Sequence, residues 1–322
     1  MAKVGYAIAS VVGIVTMLSQ GAAFAADAKT VSVVDDRGVS VQVPAQPKRI
    51  ASISYFADDV AFALGIKPVA TTYMTAGREP AYLLGLTSQL KQVGQRAKPN
   101  LELPAEAKPD LIVAIRRYTI GNAAQLQNIA PYVAYNMELL DESDREIAEL
   151  AKLLGKPERG EQLNSDFRKD LADYVAKAPK NNHPRFVIMW GGATPFAFHT
   201  ENTAASIVAA LGGDNIVGAK TPGGPFGVDL SLESLLEKDP EVIFVYDSGP
   251  DRPHESNPIW SQLSAVKNNH VYYVGDEWVE TNGPIARQMV LREAAHYLYP
   301  DAFPAVDVHA EAAKMIPAEL QN

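Results

Sequence analysis

Apolar positions fall in two alternating rhythms along most of this chain. The segment Thr30 to Pro44, TVSVVDDRGVSVQVP, alternates apolar and polar residues around Asp36-Arg37-Gly38, as a β-hairpin does. From Arg49 onward, short branched-aliphatic runs predict buried strands near Ile50–Ile53, Pro68–Thr72 and Leu111–Ile115, with helices between them. Ser143 to Leu154 repeats Ile147, Leu150 and Leu154 at helical spacing and stops at Gly155, and Pro157 can then occupy the first position of a second helix. That helix carries Leu163, Phe167, Leu171 and Tyr174–Val175 on one stripe and runs to about Ala178. Strand and helix rhythms resume from Arg185 to about Pro300.

One pattern is written twice. NLELPAEAKPDLIVA (Asn100 to Ala114) and SLESLLEKDPEVIFVY (Ser231 to Tyr246) both read small-polar, Leu, Glu, then Pro, acid and a run of branched aliphatics, with Glu102 and Glu233 131 positions apart. Each copy predicts a short helix, a Pro-acid stop and a buried strand. The period is far longer than the roughly 20–50 residues of a solenoid unit. A second echo links Arg49 to Ala70 with Arg185 to Val217, each running strand, loop, helix and Leu-Gly, where Gly65 and Gly212 suit the left-handed cap of a helix end. Strand-helix-strand units look alike in any α/β protein, yet two echoes in one order favour two Rossmann-like α/β lobes joined by one long helix, with a cleft between them. The expected units are a leader at 1–25, a first lobe at 30–142, linker helices at 143–180, a second lobe at 184–300 and a tail at 301–322. The Pro- and Ala-rich tail is expected on the surface of the second lobe. A single helix between lobes acts as a stiff strut and limits them to small relative motion.

Composition sharpens this picture at three points. Lys3, an apolar stretch from Val4 to Met17 and the small-residue run GAAFAADA resemble a secretory signal with cleavage near Ala25, so the mature protein is expected to be exported and periplasmic, with no membrane span. There is no cysteine, which excludes disulfides, thiol catalysis, cysteine-ligated metal and a lipid-bearing cysteine. The 29 basic residues against 38 acidic ones argue against nucleic acid as a partner, so a local basic pocket would stand out against the background.

In parallel α/β sheets, ligands sit beyond the carboxyl ends of the strands, so the residues that follow each strand are the candidates. Tyr55 follows the first strand, and Arg78 comes soon after the second. Arg116, Arg117 and Tyr118 follow Leu111–Ile115; Trp190, Tyr246 and Trp278 mark strand ends of the second half. The adjacent cations Arg116 and Arg117 repel each other unless an anion or acid neutralises them, and a guanidinium fork holds oxyanions through paired hydrogen bonds. Neighbouring side chains of an extended segment point opposite ways, so one of the two arginines is expected to line the cleft. The histidines show no metal-binding spacing, and no GxSxG, P-loop or GxGxxG occurs. The acid pairs Asp58-Asp59 and Asp276-Glu277 suit acid-base work, but adjacent acids more often answer a helix dipole.

The chain resembles the periplasmic ligand-binding proteins of iron-siderophore, haem and cobalamin ABC importers from Val31 to Pro300. The motifs are PKRIASIS, VGQRAKPNLELPAEAKPDLIVA, LGKPERGEQL, VDLSLESLLEKDPEVIFV and IWSQLSAVKNNHVYYVGDEWVETNGP, in that order. Through SYFADDVAFALGIKPVA, LQNIAPYV and FAFHTENTAASIVAALG it is most similar to the ferric-citrate-binding branch, which implies iron carried as ferric citrate or another anionic chelate. The resemblance implies a class III, helical-backbone binding protein, without enzymatic activity or cofactor, which receives iron already wrapped in a chelate. It also implies an ABC permease dimer with its ATPase as partner, and action as a monomer. Arg96, Tyr118, Phe226 and Trp278 match ligand-contacting positions of hydroxamate-siderophore binders, and Arg117 matches an arginine of catecholate binders. Phe226 stands where catecholate binders place an iron-ligating histidine, so the resemblance implies no metal ligand there. Glu102 and Glu233 match the two surface glutamates, one per lobe, that meet arginines of the permease. A haem or cobalamin carrier of the same architecture, and an exported hydrolase or lyase using a cleft carboxylate, remain the competing readings.

Overall fold

The computed structural model describes residues 29–321; the signal-like segment lies outside them. The hairpin forms as its alternation predicts, β1 (Thr30–Val34) pairing antiparallel with β2 (Ser40–Pro44). The first lobe then runs β3 (Ile50–Ile53), α1 (Tyr55–Ala63), β4 (Ala70–Tyr73), β5 (Lys91–Gln95), β6 (Lys98–Pro99), α2 (Glu102–Glu106), β7 (Leu111–Ile115), α3 (Arg116–Thr119), α4 (Ala123–Ile129) and β8 (Tyr132–Tyr135). Its sheet has the order β6-β5-β4-β3-β7-β8, parallel except for β6. Strands β3 and β7 are buried along their whole length, as continuous aliphatic runs covered on both faces must be.

Helices α5 (Leu140–Leu153) and α6 (Pro157–Lys177) follow. Pro157 opens α6, where its missing N–H costs nothing. Leu163 of α6 packs into the first lobe's core, and Phe167 packs into that of the second. One helix therefore carries both lobes.

The second lobe comprises β9 (Arg185–Trp190), β10 (Phe196–Phe198), α7 (Thr203–Ala210), β11 (Asp214–Asn215), β12 (Gly227–Asp229), α8 (Leu232–Lys238), β13 (Val242–Tyr246), α9 (Ser264–Lys267), β14 (Val271–Val274) and α10 (Pro284–Leu298). Strands β9, β13 and β14 run parallel, while β10 and β12 extend the sheet antiparallel.

The twice-written pattern has a physical cause in this arrangement. In each copy the residue before proline is left-handed, Lys108 at φ 47° and Asp239 at φ 39°, which ends the helix and turns the chain into its strand. The following acid then holds the start of the neighbouring strand. Asp110 accepts from the backbone N–H groups of Lys48 and Arg49, both at 2.8 Å, and Glu241 accepts from that of Arg185 at 2.9 Å. Each of these arginines returns to the helix end: Arg49 donates to the carbonyls of Ala107 and Lys108, and Arg185 to those of Lys238 and Asp239. Carbonyls orphaned at both helix ends thus find partners.

A short helix, α11 (Val308–Ala313), and a 3-10 turn at Ala318–Leu320 close the described chain. It packs mainly on the first lobe, and not on the surface of the second lobe as expected, although α10 lies alongside it. Ala312 and Ile316 are buried in the first lobe's core, beside the turn at Ala81–Leu83. Val308, Ala312, Met315 and Ile316 form an apolar stripe at helical spacing, covered by the first lobe's core together with α10.

The lobes are joined most tightly around the N-terminus of α10. Pro284 has no N–H, and Gly283 at the cap position has no side chain to accept from the next two residues. Asp59, from α1 of the first lobe, accepts from Ile285 N at 2.8 Å and Ala286 N at 2.9 Å. A Cβ on Gly283 would lie 2.2 Å from an oxygen of Asp59, so the cap requires glycine there. One turn on, the fully buried Arg287 donates to Ser143 Oγ (2.9 Å), Asp144 (2.7 Å) and Asn164 (2.6 Å), tying α10 to α5 and α6.

Two expectations follow. Gly283→Ala forces the Asp59 carboxylate away from its two donors and should cost about 1–3 kcal/mol, read as a lowered denaturant midpoint. Burial pushes the carboxyls of Asp59 and Glu293 up to about 7 and that of Glu146 to about 8. Each holds its proton more tightly folded than unfolded, so between the ordinary carboxyl range and about pH 8 stability falls as pH rises. Tm measured by calorimetry should therefore be lower at pH 8 than at pH 5.5. Glu293→Gln, which keeps an acceptor for Trp278 Nε1, should flatten part of that slope.

Candidate functional site

The carboxyl ends of the two sheets face one another across a cleft, and the chain's cations and aromatic rings gather there. A cavity of about 280 Å³ is lined by Arg96, Arg117 and Tyr118 of the first lobe, by Trp190, Phe196, Phe198 and Phe226 of the second, and by Val279. Five of the nine residues expected to bind a ligand are therefore brought together: Arg96, Arg117, Tyr118, Trp190 and Phe226.

Each is positioned by the strand end before it. Arg96 follows β5, held by its backbone N–H to the carbonyl of Tyr73 at 3.0 Å. Strand β7 turns directly into α3, so Arg116, Arg117 and Tyr118 step round a helical turn by about 100° each instead of alternating. Arg117 and Tyr118 reach the cavity, and Arg116 turns away to Asn136 at 3.3 Å. Trp190 ends β9 with its ring centroid 4.6 Å from that of Tyr246. Phe196 and Phe198 alternate on β10 and share one face, and Phe226 stacks beside them at centroid distances of 5.3 and 5.8 Å.

The cations are wrapped by rings. The Arg96 guanidinium lies 5.1 Å from the Tyr118 ring centroid, while that of Arg117 lies 4.8 Å from Tyr118 and 5.0 Å from Phe226. Arg117 thus spans the cleft between a first-lobe and a second-lobe ring. Each guanidinium also has a carboxylate. Arg96 Nη1 is 3.0 Å from Glu280 and Arg117 Nη1 is 3.4 Å from Glu138. Glu280, only 1% exposed, also accepts from the Tyr55 backbone N–H at 2.6 Å.

Besides Arg116, three other expected residues lie elsewhere. Trp278 is 1% exposed, stacked on Phe244 at 4.7 Å, and donates from Nε1 to Glu293 at 2.9 Å; it belongs to the second lobe's core. Its place at a strand end is the same as that of Trp190, but a 3-10 turn at Asp276–Trp278 directs the ring inward. Tyr55 is buried in the first core, its hydroxyl accepting from Met74 N at 3.3 Å. Arg78 is a link between lobes, donating to the Asp247 carbonyl, the Tyr246 hydroxyl and the Asp276 carboxylate, the last at 2.6 Å.

Sequence reasoning missed Phe196, Phe198, Val279, Glu280 and Glu138. The spacing of FAF, two rings on one strand face, was the available signal; nothing local marked the two glutamates. Glu102 and Glu233 are exposed in the first turns of α2 and α8, and neither forms an ion pair among the described residues. No group of three His, Asp or Glu among the described residues is placed to hold a metal ion, and no described helix is long and apolar enough to cross a membrane.

A family model described as "Periplasmic binding protein" matches residues 50–277. The Fe(3+)-citrate-binding protein YfmC of Bacillus subtilis (strain 168) is 29% identical over 264 residues, covering 80% of this chain and 82% of that protein. A vitamin B12-binding protein of Vibrio cholerae serotype O1 is 25% identical over 247 residues, covering 75% of this chain and 86% of the relative. Among solved structures, Staphylococcus aureus SirA complexed with staphyloferrin B is similar, with a TM-score of 0.68 at 25% identity, covering 84% of this chain and 98% of SirA.

Of the three tryptophans, Trp190 alone lines the cavity, while Trp260 and Trp278 are buried. Acrylamide should therefore quench the native emission mainly through Trp190. Trp190→Phe protein should lose most of that quenching, and equal quenching in the variant would contradict the placement.

Proposed function

The chain belongs to the periplasmic binding protein family, and on that premise we propose that it captures a ferric siderophore in the cleft between its lobes and delivers it to an inner-membrane ABC permease with its ATPase. The fold is that of the class III members, two α/β lobes on a helical strut. The observation that carries the ligand reading is the wall of five rings and two guanidiniums drawn from both lobes, which suits an oxygen-rich chelate with a carbon frame. Relatives named for ferric citrate and siderophores point the same way.

Arg96 and Arg117 would donate to chelate oxygens, and Tyr118, Trp190, Phe196, Phe198 and Phe226 would cover its apolar surface and exclude water. Iron arrives already coordinated, so the protein needs no cofactor of its own. Three of the four acids that an exported hydrolase or lyase would draw on are engaged in the fold. Asp59 caps α10, Asp276 pairs with Arg78, and Asp58 accepts from Thr71 Oγ1 at 2.6 Å. That favours a carrier over an enzyme; export and action as a monomer rest on the family reading alone. A cobalamin carrier is the second reading, supported by the vitamin B12-binding relatives and by the same aromatic lining.

Glu102 and Glu233 are proposed as the permease contacts, one per lobe. Local physics explains why an acid stands in the first helical turn, for about 0.3–1 kcal/mol. It does not explain why both remain exposed and unpaired at matching places on the two lobes.

Titration of tryptophan emission with ferric citrate, a ferric trihydroxamate, a ferric catecholate, haem and cyanocobalamin tests the ligand reading. At least one iron chelate should change the signal, and Arg117→Ala should weaken that binding by about tenfold or more, since a charge-assisted hydrogen bond contributes about 1.5–3 kcal/mol. Response to haem or cyanocobalamin alone would overturn the siderophore reading. The double variant Glu102→Arg, Glu233→Arg should bind its ligand normally yet lose uptake in cells; unchanged uptake would overturn the docking assignment.

A further inference from the structure

The two arginines of the cleft bring their own counter-charges. Arg96 and Arg117 are the charged side chains that line the cavity, and each stands against a carboxylate, Glu280 at 3.0 Å and Glu138 at 3.4 Å. Both contacts leave donors over. Arg96 Nε and Nη1 and Arg117 Nε have no hydrogen-bond partner, the Arg96–Glu280 contact being an ion pair outside hydrogen-bond geometry. A ligand entering the cleft meets two lining guanidiniums that each already stand against a carboxylate, within an aromatic wall, on a protein whose own balance is negative.

A strongly anionic chelate would lose its hydration on entering such a pocket and gain no uncompensated cation in return. It would also lie near two carboxylates, of which Glu280 cannot leave. Glu280 is buried and fixed by the Tyr55 N–H, so it cannot swing into solvent to expose the charge of Arg96. A chelate whose ligand oxygens already neutralise the ferric ion would keep the benefit of the donors and the rings without that penalty.

We infer that the cleft selects iron chelates of little or no net charge on an apolar or aromatic frame, and that Glu280 and Glu138 set this preference by neutralising Arg96 and Arg117. The inference rests on the ferric-siderophore reading and narrows it: ligand charge, and not iron alone, is what the site measures. It also revises the expectation that paired arginines in a cleft call for an anionic ligand.

The experiment is a set of binding titrations, by calorimetry, with three iron chelates of different charge: an uncharged ferric trihydroxamate, anionic ferric citrate and a trianionic ferric tris-catecholate. Cyanocobalamin serves as a fourth ligand. The uncharged chelate should bind at least about tenfold more tightly than either anion, and Glu138→Gln and Glu280→Gln should each move the ratio toward the anions by about tenfold, the effect of removing one nearby unit charge in a partly desolvated site. Glu138 is partly exposed and its variant is expected to fold, so the charge effect remains measurable if Glu280→Gln is unstable. Tightest binding of an anionic chelate, or a ratio unmoved by Glu138→Gln, would overturn the inference while leaving the siderophore reading standing. Binding of cyanocobalamin with no iron chelate would overturn both.

Discussion

The lobe arrangement depends on one short segment, Asp276 to Arg287, and above all on a carboxylate that caps a helix from the other lobe. Asp59 satisfies the two backbone N–H groups that Pro284 and Gly283 leave exposed at the start of α10. Around it, Glu280 holds the Tyr55 N–H, Asn282 accepts from Thr203 Oγ1, Ser143 Oγ donates to the Asn282 carbonyl, and Arg287 reaches into α5 and α6. Breaking one partner from a buried charged pair typically costs about 3–5 kcal/mol. Hydrogen bonds are directional, so these contacts fix the orientation of the lobes as well as their separation. The relative position of the lobes, and with it the shape of the cleft, is therefore set by polar geometry laid over separate apolar clusters.

Much of this frame was legible in the amino-acid order because its signals are local. Aliphatic runs gave the central strands, 3.6-residue spacing gave the strut, and the repeated Leu-Glu pattern gave two related lobes. What escaped was decided by contacts between distant residues. Trp190 and Trp278 carry the same strand-end signature, yet a 3-10 turn sends one ring inward, and no local feature distinguishes them. Arg78 looked like a ligand contact because the acid that occupies it, Asp276, lies 198 positions away. The tail's destination was hidden for a similar reason: its apolar stripe is short, and composition rich in Ala and Pro says nothing about which lobe covers it.

The repeat itself now has two layers of explanation. Its Pro-acid step and the left-handed residue before it are structural, because they end a helix and fix the first residue of the neighbouring strand in both lobes. Its glutamates are not needed for that work. A residue that the fold leaves free, placed alike on two lobes, is open to be read by a partner with matching twofold surfaces.

The cleft and the clamp are parts of one device. Glu280 sits at their meeting point, with one oxygen on the backbone of Tyr55 and the other toward Arg96. Arg117 meanwhile touches Tyr118 and Phe226, which belong to different lobes. A ligand must replace the contact between Arg117 and Phe226 with its own surface, so it has to be bulky enough to touch both walls at once. Helix α6 and the Asp59 bonds hold both walls in place at this spacing. A chelate that wraps iron in a carbon frame meets that requirement, and a bare ion does not. The same polar bonds that hold the lobes thus favour a pre-wrapped cargo over free metal.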